Sequence, residues 1–201
     1  MKNRKYLVGI LFLAGVVLSA SFWGCDSRKA KNKRYRVVKV FDGDTIKLAN
    51  GEKVRLIGID CPEAYDSDKL RRDVKKTGKS MREIQMMGKK AGVFTKELVS
   101  GEKVFLEFDQ EQRDRYNRLL AYVWIEIPSY TYSSEKGLPE YYDTKVLENE
   151  WGYPAEYLFL NTTIVRAGYA EPMTIPPNNK YAHLFKSFYR EARVERRGLW
   201  Q

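Results

Sequence analysis

The sequence predicts an α+β domain in which a five-stranded β-barrel carries three α-helices, and three observations predict it. Short β-rich runs punctuated by Gly, Asp, Asn and Pro fill 35–59 and return at 103–108 and 119–127. One amphipathic helix interrupts them at 80–100, and two helical patterns close the chain. Five short strands broken by a single helix favour a Greek-key barrel of the oligonucleotide-binding type (OB-fold), which closes its own edges.

Each element has a local reason. Strands over 35–41 and 45–49 flank Asp42-Gly43-Asp44, a turn signal. A third strand follows Asn50-Gly51 over 53–59 and stops at Pro62, which has no amide proton for pairing. The charged stretch 65–79 reads as a loop. Ser80 and Glu83 then form a capping box, and Ile84, Met87, Ala91, Phe94 and Leu98 recur at steps of three and four, so one helical face is apolar. A second helix is expected over 155–167, closed by Gly168, and a third over 179–197, stopped by Gly198. On this helix His183 is expected as a surface residue.

Composition bounds the chemistry. The chain has 201 residues, 43% of them apolar and 13% aromatic, enough for one core. The two cysteines, Cys25 and Cys61, and the one histidine exclude zinc fingers, histidine-metal clusters and paired-histidine catalysis. Carboxylates and arginines are left to carry any catalysis. Residues 6–24 are free of charge and follow Lys2, Arg4 and Lys5, so 1–24 is an export or anchoring segment. Lipidation of Cys25, an uncleaved membrane anchor and cleavage after Ala20 all remain open readings, and all three place the domain outside the cytoplasm, in the cell envelope or secreted. A basic linker occupies 25–34. The net charge of +10 survives largely without the N-terminal segment, and an excess of positive charge favours a polyanionic partner, because neutralised phosphates release counterions.

Acids and arginines gather at the strand ends. Asp44, Asp60 and the carbonyl of Cys61 form an oxygen set suited to a hard divalent cation if those ends converge. Glu63, just past Pro62, is placed to polarise a water. The guanidiniums of Arg55 and Arg118 suit a phosphodiester and the extra charge of its transition state. Strict alternation puts Arg55 and Asp60 on opposite faces, so convergence requires a bulge at Gly58 or a turn that includes Asp60.

Together these residues carry a resemblance. Asp42-Gly43-Asp44-Thr45, then Arg55-Leu56-Ile57-Gly58-Ile59-Asp60-Cys61-Pro62-Glu63, then Asp114-Arg115-Tyr116-Asn117-Arg118-Leu119-Leu120-Ala121-Tyr122 stand in the order and spacing of the staphylococcal nuclease (thermonuclease) family. The likeness continues through Asn161-Thr162-Thr163-Ile164-Val165-Arg166-Ala167-Gly168 and Pro177-Asn178-Asn179, and makes 35–201 one domain. It implies Ca²⁺-dependent hydrolysis of DNA or RNA by a monomer. Asp44, Asp60 and the Cys61 carbonyl would hold calcium, Glu63 would be the general base, and Arg55 and Arg118 would clamp phosphate. Arg115 and Tyr116 would contact a terminal phosphate. Two departures stand out: Met173 and Ile175 replace tyrosines near the bound nucleotide, and 128–154 is an insertion rich in tyrosine, read either as a rim of the substrate groove or as packing on the barrel. The alternative is a non-catalytic envelope lipoprotein that binds nucleic acid or another polyanion. Loss of an acid or arginine would favour it, but Asp44, Arg55, Asp60, Glu63 and Arg118 are all present.

Overall fold

The computed structural model describes residues 33–127, 143–148 and 153–201. The export or anchoring segment, Cys25, most of the basic linker and 128–142 and 149–152 of the insertion lie outside the described residues. Among those described, the elements are β1 (Arg34–Val40), β2 (Thr45–Leu48), β3 (Lys53–Leu56), β4 (Gly58–Asp60), α1 (Asp68–Thr77), α2 (Met81–Val99), β5 (Lys103–Glu107), β6 (Leu119–Ile127), β7 (Thr144–Glu148), β8 (Pro154–Phe159), α3 (Leu160–Arg166), β9 (Glu171–Met173) and α4 (Ala182–Val194). A 3-10 turn covers Gly198–Trp200.

Five strands close on themselves. β1 pairs antiparallel with β2 and β5, β2 with β3, and β5 with β6. Closure comes from β6 returning to β3 in parallel register, with Arg55 opposite Leu120. The result is the expected OB-fold barrel. Its interior holds Ile46, Leu48, Val54, Leu56, Val104, Ala121, Val123 and Ile125, none more than 1% exposed. Burying each of its valine, leucine and isoleucine side chains contributes about 1.5–3 kcal/mol relative to leaving it in water.

The outer face of β6 is also covered, because Trp124 stacks on Phe159 at 4.1 Å and Tyr122 meets Tyr181 edge-on at 4.6 Å. Ser80 caps α2 by accepting the Glu83 N–H at 3.2 Å, and the helix buries Ile84, Ala91, Thr95 and Leu98. His183 is exposed on α4, as the sequence pattern indicates.

Two expectations need correction. First, 65–79 is no simple loop, since α1 forms there and raises the number of α-helices to four among the described residues. Its signals lie at its ends: Ser67 accepts the Leu70 N–H, and Gly78 adopts the left-handed conformation. Leu70 is its one buried residue, so no apolar stripe announces it.

Second, 155–159 is strand, not helix, because β8 pairs with β6 through Trp124 opposite Phe159. Tyr157, Leu158, Phe159 and Leu160 are all fully buried, and a short continuous apolar run reads alike for a buried strand and a buried helix. Only Leu160–Arg166 is helical there, ended by Gly168 at φ 82°.

Part of the insertion is sheet. β7 pairs with β8 as a hairpin that extends the barrel sheet past β6. Of the aromatics expected to form a rim, Tyr130, Tyr132, Tyr141, Tyr142 and Trp151 lie outside the described residues, and Tyr153 is exposed.

Candidate active site

The turn between β1 and β2 is tied down from within and from α2. Asp42 Oδ1 accepts the Asp44 N–H at 3.0 Å, an Asx-type turn, and Thr95 Oγ1 on α2 donates to the Gly43 carbonyl at 2.8 Å. Asp44 is thereby fixed and only 6% exposed. Its Oδ1 accepts the Thr45 hydroxyl at 3.1 Å, and its Oδ2 accepts the Cys61 N–H at 2.8 Å.

The parity problem between Arg55 and Asp60 is solved at Gly58. The backbone there has φ 81°, which splits the expected third strand into β3 and β4 and turns Asp60 back towards Arg55. Arg55 then bridges both carboxylates, at 2.9 Å to Asp44 Oδ2 and 3.0 Å to Asp60 Oδ1, and donates to the Leu56 carbonyl at 2.9 Å. Buried Asn161 holds this break from behind, donating to the Ile57 carbonyl and accepting the Val123 N–H, both at 2.9 Å. Glu63 is seated by a close approach. A Cβ at Gly88 on α2 would stand 2.5 Å from the Glu63 carbonyl carbon, so only glycine lets that backbone lie against the helix.

α1 delivers a residue that the sequence reading missed. Lys69 Nζ donates to the Cys61 carbonyl at 2.8 Å and lies 3.2 Å from Asp60, 3.4 Å from Glu63 and 3.3 Å from Asp73. Ser67, the cap of the same helix, donates to Glu63 Oε2 at 3.3 Å. The only sequence signal was Lys69 and Asp73 four apart between Ser67 and Gly78, a charge pair on a capped helix.

The opposite wall comes from the turn before β6. Asp114 Oδ1 accepts the N–H groups of Tyr116 and Arg118, each at 2.9 Å, and Asp114 Oδ2 accepts Arg118 Nε at 2.8 Å. The Arg115 and Arg118 guanidiniums stand 4.8 and 5.7 Å from the Tyr116 ring. Parallel pairing of β3 with β6 brings this turn to the same rim as Arg55. Asp44, Arg55, Asp60, Glu63, Arg115, Tyr116 and Arg118 all line one cleft of about 890 Å³. Met173 and Ile175 line it too. Of the expected site residues only Cys61 keeps its side chain out of the cleft, buried behind it.

The electrostatics follow from burial and from an excess of acid. Burial pushes the Asp44 carboxyl up against the pull of Arg55, and pushes Asp60 up against the pull of Lys69. Burial opposes the charges of Arg55 and Lys69, but the acids outweigh it; Asp44 and Asp60 raise Arg55, while Asp60, Asp73 and Glu63 push Lys69 up to about 12. Burial also drives the Cys61 thiol well above its ordinary range, so it supplies no thiolate nucleophile.

Among the described residues, no three His, Cys, Asp or Glu side chains stand close enough to hold a metal ion by themselves. The donor chemistry nonetheless suits a hard cation: the Cys61 carbonyl, Asp60 and Glu63 present oxygens to one cationic atom, Lys69 Nζ, with Asp44 held beside them through Arg55.

Comparison with known proteins agrees with this geometry. The family model "Staphylococcal nuclease homologue" matches residues 53–201. The chain is 29% identical to a thermonuclease of Staphylococcus intermedius, over 98% of this chain and 99% of that protein. It is 32% identical to a thermonuclease of Staphylococcus hyicus, over 61% of this chain and 72% of that one. Against endonuclease YncB of Bacillus subtilis it is 30% identical, over 81% of this chain and 59% of its relative. An OB-fold barrel, a cleft of ordered acids and arginines, and a model match over most of its length place this chain in the staphylococcal nuclease family.

Proposed function

We propose that the protein is an exported, Ca²⁺-dependent endonuclease that hydrolyses phosphodiester bonds of DNA or RNA. The observation that supports this reading most strongly is the chain of contacts Asp44–Arg55–Asp60 in one cleft with Glu63 and Arg118. In this reading Asp44, Asp60 and the Cys61 carbonyl hold the cation, which when bound supplies positive charge to the phosphate oxygens.

The protein's own groups do the rest. Glu63, oriented by Ser67, polarises the attacking water. Among the described residues the Arg118 guanidinium is anchored only through Nε, by Asp114, which leaves its terminal nitrogens to bind the phosphate as charge builds on it. Arg55 binds Asp44, Asp60 and the Leu56 carbonyl through its two terminal nitrogens, so its first task is to hold the two carboxylates together, and it reaches phosphate as part of that unit. Arg115 and Tyr116 form the exposed lip on which a terminal phosphate would rest.

A nuclease assay on single-stranded DNA, duplex DNA and RNA tests the proposal. Hydrolysis with Ca²⁺ that disappears in EGTA supports it. Binding without hydrolysis in saturating Ca²⁺ contradicts it and leaves the non-catalytic polyanion binder. Export rests on the charge-free run 6–24 and its basic flank, and a full-length protein recovered from the cytosol would refute that part. Loss of lipid labelling in Cys25→Ser would identify a lipoprotein.

A further inference from the structure

The barrel carries a row of unneutralised charge outside the cleft. Lys39 on β1 stands directly opposite Lys47 on β2, and Lys47 stands directly opposite Lys53 on β3. Residues directly opposite share a face, so three ammonium groups line up across three adjacent strands at about 4.8 Å per strand. Like charges so placed destabilise a sheet. Lys39 and Lys53 are exposed and Lys47 half-buried. Among the described residues no carboxylate pairs with any of them; the nearest acid in sequence, Glu52, is taken by Arg113 at 2.8 Å. The aromatic ring of Phe41 lies between the outer two, 4.8 Å from Lys39 Nζ and 5.1 Å from Lys53 Nζ.

The row is also continuous with the cleft. Lys53 and Arg55 are two residues apart on β3, hence on the same face and about 7 Å apart along the strand. One step further along the same pair of strands, Thr45 faces Arg55 as Lys47 faces Lys53.

From this we infer that Lys39, Lys47 and Lys53 form a second phosphate-binding track, which grips the nucleic-acid backbone beyond the nucleotide held in the cleft. A repulsive row with no acid of its own is relieved by a polyanion, and its junction with Arg55 makes the strand being cut the polyanion that reaches it. The inference rests on the nuclease reading of the cleft, and its test separates the two.

The experiment uses the full chain with Lys39, Lys47 and Lys53 all changed to Ser, and binding of a single-stranded 20-nucleotide DNA measured in EGTA over a range of salt. Three lost phosphate contacts lower the slope of log affinity against log salt by about 2. Hydrolysis of a dinucleotide, which reaches only the cleft, stays within twofold of wild type. The melting temperature does not fall, since mutual repulsion has been removed. An unchanged salt slope overturns the track. Absence of hydrolysis of the 20-nucleotide DNA by the wild-type chain in saturating Ca²⁺, with the slope still reduced, refutes the nuclease reading and leaves the track as a polyanion site.

Lysine acetylation of the wild-type chain, read by mass spectrometry, gives a second readout that needs no variant to fold. Protection of the three lysines by the oligonucleotide supports the track. Protection by phosphatidylglycerol vesicles and none by the oligonucleotide assigns the row to a lipid surface and overturns it.

Discussion

Two partly buried charge clusters are built from the same residue types in opposite proportion. Around Glu107 on β5, one carboxylate is served by many donors: Lys145 and the Trp124 indole at 2.9 Å, the Tyr181 hydroxyl at 2.8 Å, and Lys180. Burial raises the Glu107 pKa, but Lys180, Lys145 and Tyr181 outweigh it, and the net direction is down. In the cleft the ratio is reversed. Asp42, Asp44, Asp60, Glu63 and Asp73 crowd two cations, Arg55 and Lys69, and the buried carboxyls Asp44 and Asp60 are pushed up. A cluster with donors to spare is finished and serves stability. One with acids to spare keeps a call on further positive charge, which is what a cation-dependent site needs.

The largest expected effects lie on the cleft side of this comparison. Glu63→Gln and Arg118→Ala should each lower turnover by about 10²-fold or more, through loss of the positioned base and of transition-state charge stabilisation respectively. Melting temperatures near wild type would show that neither change acts through folding. Wild-type turnover in either variant removes that residue from the mechanism.

The next effect falls on the other cluster. Glu107→Ala strands two lysines and an indole and should cost about 2–3 kcal/mol of stability with kcat unchanged, measured by urea unfolding and the nuclease assay together. Because the folded pKa of Glu107 lies below its ordinary 4.5, its contribution is present above about pH 4.5 and is lost as pH falls through the folded value. The wild-type minus Glu107→Gln stability difference should therefore shrink on acidification below pH 4.5. A difference that grows in acid would reverse the assignment.

A smaller effect sharpens the cleft itself. Lys69 holds oxygens of Asp60 and Cys61 that the proposed cation would need. Lys69→Met should then tighten Ca²⁺ binding by about tenfold, or about 1.4 kcal/mol, read by calorimetry. Weaker binding would show that Lys69 supports the cation instead of competing with it.

Much of the site was legible because its residues sit at strand ends, where turn chemistry and motif order are both visible. Asp44, Arg55, Asp60, Glu63 and Arg118 could be named, and the clash of parity between Arg55 and Asp60 called for either a bulge at Gly58 or a turn that includes Asp60. Lys69 could not be found that way. Its helix buries one leucine, so apolar periodicity is silent, and its role depends on a carbonyl eight residues earlier. The strand 154–159 was hidden for the opposite reason: its second half, Tyr157 to Phe159, is buried on both faces, which erases there the alternation that marks a half-exposed strand. The lysine row was written in the sequence but needed the register of three strands to become a row.

Calcium titration by calorimetry tests most directly whether the acid excess of the cleft exists to hold a cation. Wild-type protein and Glu107→Gln should bind Ca²⁺ with the same affinity, and Asp60→Asn should bind it at least tenfold more weakly. No Ca²⁺ binding by the wild type, or equal affinity in Asp60→Asn, would contradict the claim.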